Sequence, residues 1–212
     1  MTSREGDRED QGGLFRWAED LPAALWDDLA ARPPAQAAEA TEALWQDGRF
    51  RLMLVGEAFW VDPAGRRIWR EAAPAERVSY QAGVVLLSAL AKSQGVPPSG
   101  RMVTPPELPG GALFFTGAHA VATAPLARAF AAAPAAMLAR AQALGSADAD
   151  GADLAWRLPG LPKLPLYALL WRGDEEFGAR AVIGIDDRAP FHLDLGGVFA
   201  LTNLLVRRLI KD

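Results

Sequence analysis

The chain contains no cysteine. That excludes disulfides, thiolate nucleophiles, iron–sulfur ligation and cysteine-bound zinc as properties of this chain alone. Histidine is scarce, with only His119 and His192, so a nucleophilic triad has few ways to be assembled. The signatures GxSxG, HExxH, GxGxxG and the P-loop lysine pattern are all missing. Basic residues form no stripe and the net charge is −4, so no nucleic-acid partner is expected. Long apolar runs are lacking too. The most apolar region, 112–138, is interrupted by His119, Pro125, Arg128 and Pro134, so no membrane span is expected. The first residues, MTSREGDREDQGG, lack the apolar core of a signal peptide, which makes the cytoplasm the expected compartment. Residues 1–13 read as a disordered tail, and 14–212 as a single domain.

What is present is ample material for a core, since half of the 212 residues are hydrophobic. Two short helices are expected before and after Pro33-Pro34, the first with Asp20 as its N-cap. Alternation then replaces helical spacing. Residues 49–54, 58–61 and 67–69 read as an antiparallel meander, with turns at Asp47-Gly48, Val55-Gly56 and Asp62-Pro63-Ala64-Gly65. A helix is expected from Pro74 to Gly95. Within the proline-rich and glycine-rich connection that follows, Met102-Val103 and 112–115 read as short strands, and Gly110-Gly111 as a bend or a close approach. Alanine-rich helices over 119–144 break near Pro134. The late hairpin is the clearest element: 164–171 and 179–185 are continuous apolar runs across an acidic turn, followed by a C-terminal helix over 194–210. The expected class is α+β, one mostly antiparallel sheet of about five to seven strands with helices packed on it.

Four stretches resemble a known family. They are the Asp62-Pro63 hairpin, the helix from Tyr80 to Gly95, LPGG at Leu108 to Gly111, and the block from Leu158 to Asp187 with LPGLPKLPL and WRGDEEF. Together they resemble an uncharacterised prokaryotic family numbered 3786 among the domains of unknown function, over about Leu25 to Leu209. The resemblance implies a domain extent and carries no activity and no agreed catalytic residues. Some members of that family carry cysteine clusters suggestive of iron–sulfur sites, a role this chain has no residues to fill.

Several residues could carry chemistry. Asp186 and Asp187 with His192 could ligate a metal, and His192 with Asp194 could serve acid–base catalysis, since imidazole titrates near neutrality and carboxylates are hard ligands. The simpler reading makes Asp186-Asp187 a turn and Asp194 the cap of the last helix. Glu107, held between prolines beside paired glycines, could be a general base or could fix its own loop. Asp174-Glu175-Glu176 reads as a solvated turn rather than a calcium loop, Gly196-Gly197 as close helix packing rather than a phosphate site, and His119 as a packing or capping residue. Seven tryptophans are scattered through the chain; Trp60, Trp69 and Trp171, all on expected strands, could converge in a pocket. Three functions stay open. The first is an accessory or small-molecule-binding domain without catalysis. The second is an acid–base or metal-assisted hydrolase built on His192, and the third a protein-interaction subunit, with a homodimer as one form of partner.

Overall fold

The computed structural model describes residues 16–210 apart from Glu175; the expected tail over 1–13 lies outside the described residues. Two short helices, α1 (Ala23–Ala30) and α2 (Pro34–Thr41), precede a meander of β1 (Leu44–Gln46), β2 (Arg49–Leu54), β3 (Glu57–Asp62) and β4 (Arg67–Arg70). Asp20 does not cap α1: its carboxylate accepts from the Trp17 N–H, and Pro22 stands at the N-cap. The first two hairpin turns are two residues long. Asp47 and Gly48 have φ of 49° and 74°, and Val55 and Gly56 have 45° and 76°. Positive φ at both positions matches the twist of the flanking strands. For a β-branched valine this backbone is costly, and a hydrogen bond from Val55 N–H to Gly160 O at 2.8 Å holds it in place.

Helix α3 (Tyr80–Lys92) begins later than Pro74. Residues ahead of it are committed elsewhere: Ala18 N–H donates to Val78 O at 2.8 Å, and Trp17 bridges Ser79 in an antiparallel pair. The helix therefore starts where Ser79 Oγ can accept from Ala82 N–H, as an N-cap serine does. Past α3 come β5 (Met102–Val103), α4 (Gly111–Phe114), α5 (Thr123–Ala132), α6 (Pro134–Ala143) and β6 (Ala147–Asp148). Residues 111–114 form a helical turn and not the expected strand, because Gly110 at φ 76° turns the chain and Phe115 N–H closes onto Gly111 O at 2.9 Å. The chain ends with β7 (Leu154–Leu161), β8 (Leu164–Trp171), β9 (Arg180–Asp186) and α7 (Leu195–Ile210).

The class is α+β, with both the early meander and the late hairpin antiparallel. The strands do not merge into one sheet. The meander keeps the order β1-β2-β3-β4, and the second sheet runs β5-β9-β8-β7-β6. The late hairpin finds its neighbours locally: β5 occupies the free edge of β9 and β6 that of β7. Its central strand is buried from Leu164 through Leu170, as a strand covered on both faces should be. The main hydrophobic cluster runs from Ala18 to Leu209 and takes in both sheets, α3 and α7, and a small second one holds Ala155, Tyr167 and Leu169. Among the described residues no helix is long and apolar enough to cross a membrane.

Candidate functional site

A cleft of about 190 Å³ lies where the meander meets the start of α3 and the end of α7. Strand alternation builds its floor. Leu54 on β2 and Phe59 on β3 point inward and are buried, and Val78 and Leu204 complete the apolar surface. Arg70 is the cross-strand partner of Phe59, so it stands on the same face, but on the edge strand its guanidinium reaches the mouth. Leu204, Arg207 and Arg208 share one side of α7 through their i, i+3, i+4 spacing.

The cleft is cationic. Three arginines and one glutamate line it. Glu57 pairs with Arg208 and lies 4.0 Å from Arg70. Arg70 also holds Glu76 at 2.9 Å. Arg207 is exposed and has no ion pair or hydrogen bond among the described residues. An apolar floor below an uncommitted guanidinium suits a ligand with one greasy part and one negative group. The sequence singles out none of Arg207, Arg208 and Glu57 as site residues. The available signal was the spacing of Leu204, Arg207 and Arg208, but which strands face them is set by tertiary packing.

His192 lies elsewhere, lining a small pocket with Ala40, Thr41, Ala89, Ser93 and Lys163. It is 3% exposed, and its Nδ1 is 2.9 Å from Ser93 Oγ, itself 2% exposed. Ser93 Oγ also lies 3.2 Å from Ala40 O and accepts from Gly95 N–H. Nε2 has no hydrogen-bond partner among the described residues. Burial is the main force on this ring and holds its pKa below the usual histidine value. The Lys163 charge pushes the same way, while the Val96 backbone and Asp186 pull less strongly in the other direction. The ring is therefore held neutral, and neither it nor Ser93 presents an atom to a bulky ligand. The Ser93–His192 pair is not visible in sequence, because 99 residues separate its members.

The carboxylates proposed beside His192 face other partners. Asp186 is fully buried and accepts from Ser99, Gly100 and Arg188 N–H at 3.1, 2.8 and 3.0 Å. Asp187 takes the Ser99 hydroxyl at 2.7 Å. Both thus fasten the 99–101 loop to the end of β9, with Asp187 N–H donating to Arg101 O. Asp194 caps α7 by accepting from Gly197 N–H at 2.9 Å, and its other oxygen is 3.5 Å from Lys92 Nζ. Glu107 accepts from Thr104 N–H at 2.7 Å and from its hydroxyl at 2.6 Å. Those bonds, the hydroxyl foremost, lower its pKa, which weakens it as a base at neutral pH. Among the described residues no three carboxylate or imidazole groups are gathered as metal ligands would be.

The remaining candidates have packing roles. His119 sits between the rings of Phe114 and Phe199, at 4.7 and 5.2 Å. Trp60 and Trp69 stack across β3 and β4 at 6.4 Å. Trp171 lies in the other sheet, under the guanidinium of Arg180 at 4.0 Å.

Compared with known proteins, residues 33–208 match the family model described as a domain of unknown function, DUF3786. No curated protein and no solved structure matches.

Proposed function

The chain belongs to the DUF3786 family, a domain of unknown function, and from that premise we infer the role from the cleft: it binds a small amphipathic anion, without chemistry on it. The observation that carries this reading is Arg207, unpaired among the described residues, standing over an apolar floor of Leu54, Phe59, Val78 and Leu204. A carboxylate or phosphate gains a charge-assisted, bidentate partner there, and an alkyl or aryl part leaves water. Glu57 engages Arg208, which leaves Arg207 as the guanidinium open to the ligand. The domain acts in this reading as a soluble accessory or carrier module of the cytoplasm.

Decanoate is the first probe, titrated calorimetrically against the full chain with decanol as the uncharged control. Decanoate is expected to bind, and Arg207→Glu is expected to weaken it by about tenfold or more, a charge reversal beside a carboxylate costing more than about 1.4 kcal/mol. Equal binding of decanoate by the wild type and the variant would remove the cleft from the argument.

A further inference from the structure

We propose that the same cleft receives the β8–β9 hairpin tip of a second copy of this chain, with Phe177 on the apolar floor and Glu176 against Arg207. The inference rests on the cleft being a binding site. It starts from a side chain that folding leaves without a place: Phe177 is 72% exposed. The loop that carries it is not slack. Asp174 Oδ1 accepts from Glu176 N–H at 2.9 Å and Phe177 N–H at 2.7 Å, and Asp174 N–H donates to Phe177 O at 2.8 Å. The neck is held by Arg180 over Trp171 and by Arg172 N–H donating to Asp153 at 2.7 Å. An aromatic group is therefore presented in a fixed pose, which lowers the ordering cost of docking it.

Charge selects the occupant. Asp174 and Glu176 precede Phe177 on the tip, and the Asp174 pKa is lowered by the backbone N–H groups it accepts, that of Phe177 first, so it stays ionised. The tip offers one aromatic ring with adjacent carboxylates, and the cleft offers an apolar floor with a cationic rim. These are the two halves of one recognition surface.

The tip cannot reach the cleft of its own chain. Val55, at the cleft, is bonded to Gly160 beside the β7–β8 turn, whereas the tip leaves from Trp171 at the other end of β8. Eight residues of strand, at about 3.3 Å each, put roughly 25 Å between them. With donor and acceptor at opposite ends of one hairpin, two chains lying antiparallel about a two-fold axis make the contact twice and close the assembly. Each contact is small beside a standard interface, so the dimer is weak and salt-sensitive.

Sedimentation velocity of the full chain, from micromolar to submillimolar concentration and at low and high salt, tests the proposal. A dimer weakened by salt is expected. Phe177→Ser should raise its dissociation constant about tenfold or more. Glu176→Arg and Arg207→Glu should each weaken it, and the two together should restore it. A chain that stays monomeric throughout, a dimer that Phe177→Ser leaves unchanged, or an open-ended assembly overturns it. Decanoate separates this proposal from the previous one. Binding of decanoate by a monomeric chain removes the docking and keeps the ligand cleft. A dimer broken by Phe177→Ser in a chain that ignores decanoate keeps the docking and removes the small anion.

Discussion

Burial holds His192 neutral, and that has a consequence for stability. Its folded pKa lies below the ordinary value of 6.5, so on acidification the unfolded chain takes up a proton that the native ring refuses. Stability is then full above about pH 6.5 and falls as pH drops toward the folded value, by at most about 1.4 kcal/mol per pH unit for one proton. Glu107, Asp174 and Glu71 have lowered values, so their contributions are present above the usual carboxylate range and are lost only at more acid pH. The histidine window is therefore separable. Urea unfolding of the wild type and His192→Gln between pH 7.5 and about 5 should show a falling stability in the first and a flatter profile in the second. Parallel profiles would mean the ring is not kept neutral. At this scale sequence reading was strong on local roles and blind to distant ones. The capping of α7 by Asp194 and the loop-fixing by Glu107 follow from short spacing along the chain. The Ser93–His192 pair, and the meeting of Arg70 with Arg207 and Arg208, join residues far apart in sequence, and no local pattern records them.

Among the elements, the LPGG stretch shows how a glycine pair can be read for conformation and still misread for secondary structure. Gly110 has φ of 76°, as a bend requires. At Gly111 a side chain would run into the Pro105 and Pro106 carbonyls, which are backbone atoms of the turn that precedes α4. The expected strand over 112–115 failed because the glycines start a helical turn, and a short apolar run has no period of its own to distinguish the two. Gly184 on β9 is a useful contrast. A methyl group there would meet Met102 Cγ and Sδ, the flexible end of a side chain that can move aside. Gly111→Ala is therefore expected to cost about 2–3 kcal/mol, as overpacking against rigid atoms does, and Gly184→Ala less than about 1 kcal/mol. Thermal denaturation of the two variants side by side checks the order; a larger loss at Gly184 would show that β5 and β9, not the 105–111 turn, are the tightly fitted part.

For the whole molecule, the periodicities locate most strands and helices, but they carry no information on which edge meets which. The meander and the late hairpin were each legible from alternation and continuous apolar runs. Their division into two sheets depended on β5 and β6, two-residue strands too short to announce themselves. The two sheets still depend on each other. Val55 in the meander hangs from Gly160 in the second sheet, and α3, from the first half, packs against α7, from the last. One core cluster spans Ala18 to Leu209. A fragment ending near residue 150 loses β7, β8, β9 and α7 together, exposing Leu52, Leu86, Leu90 and Leu126, all now buried to within 1%. Each large apolar side chain returned to water costs about 1.5–3 kcal/mol, so these four alone remove about as much as a domain's whole net stability. Fragment 14–150 is thus expected to show no cooperative melt by circular dichroism and no dispersed amide spectrum, while 14–212 melts in one transition. A fragment 14–150 with a sharp melt would divide the chain into two folding units and break the single-domain reading.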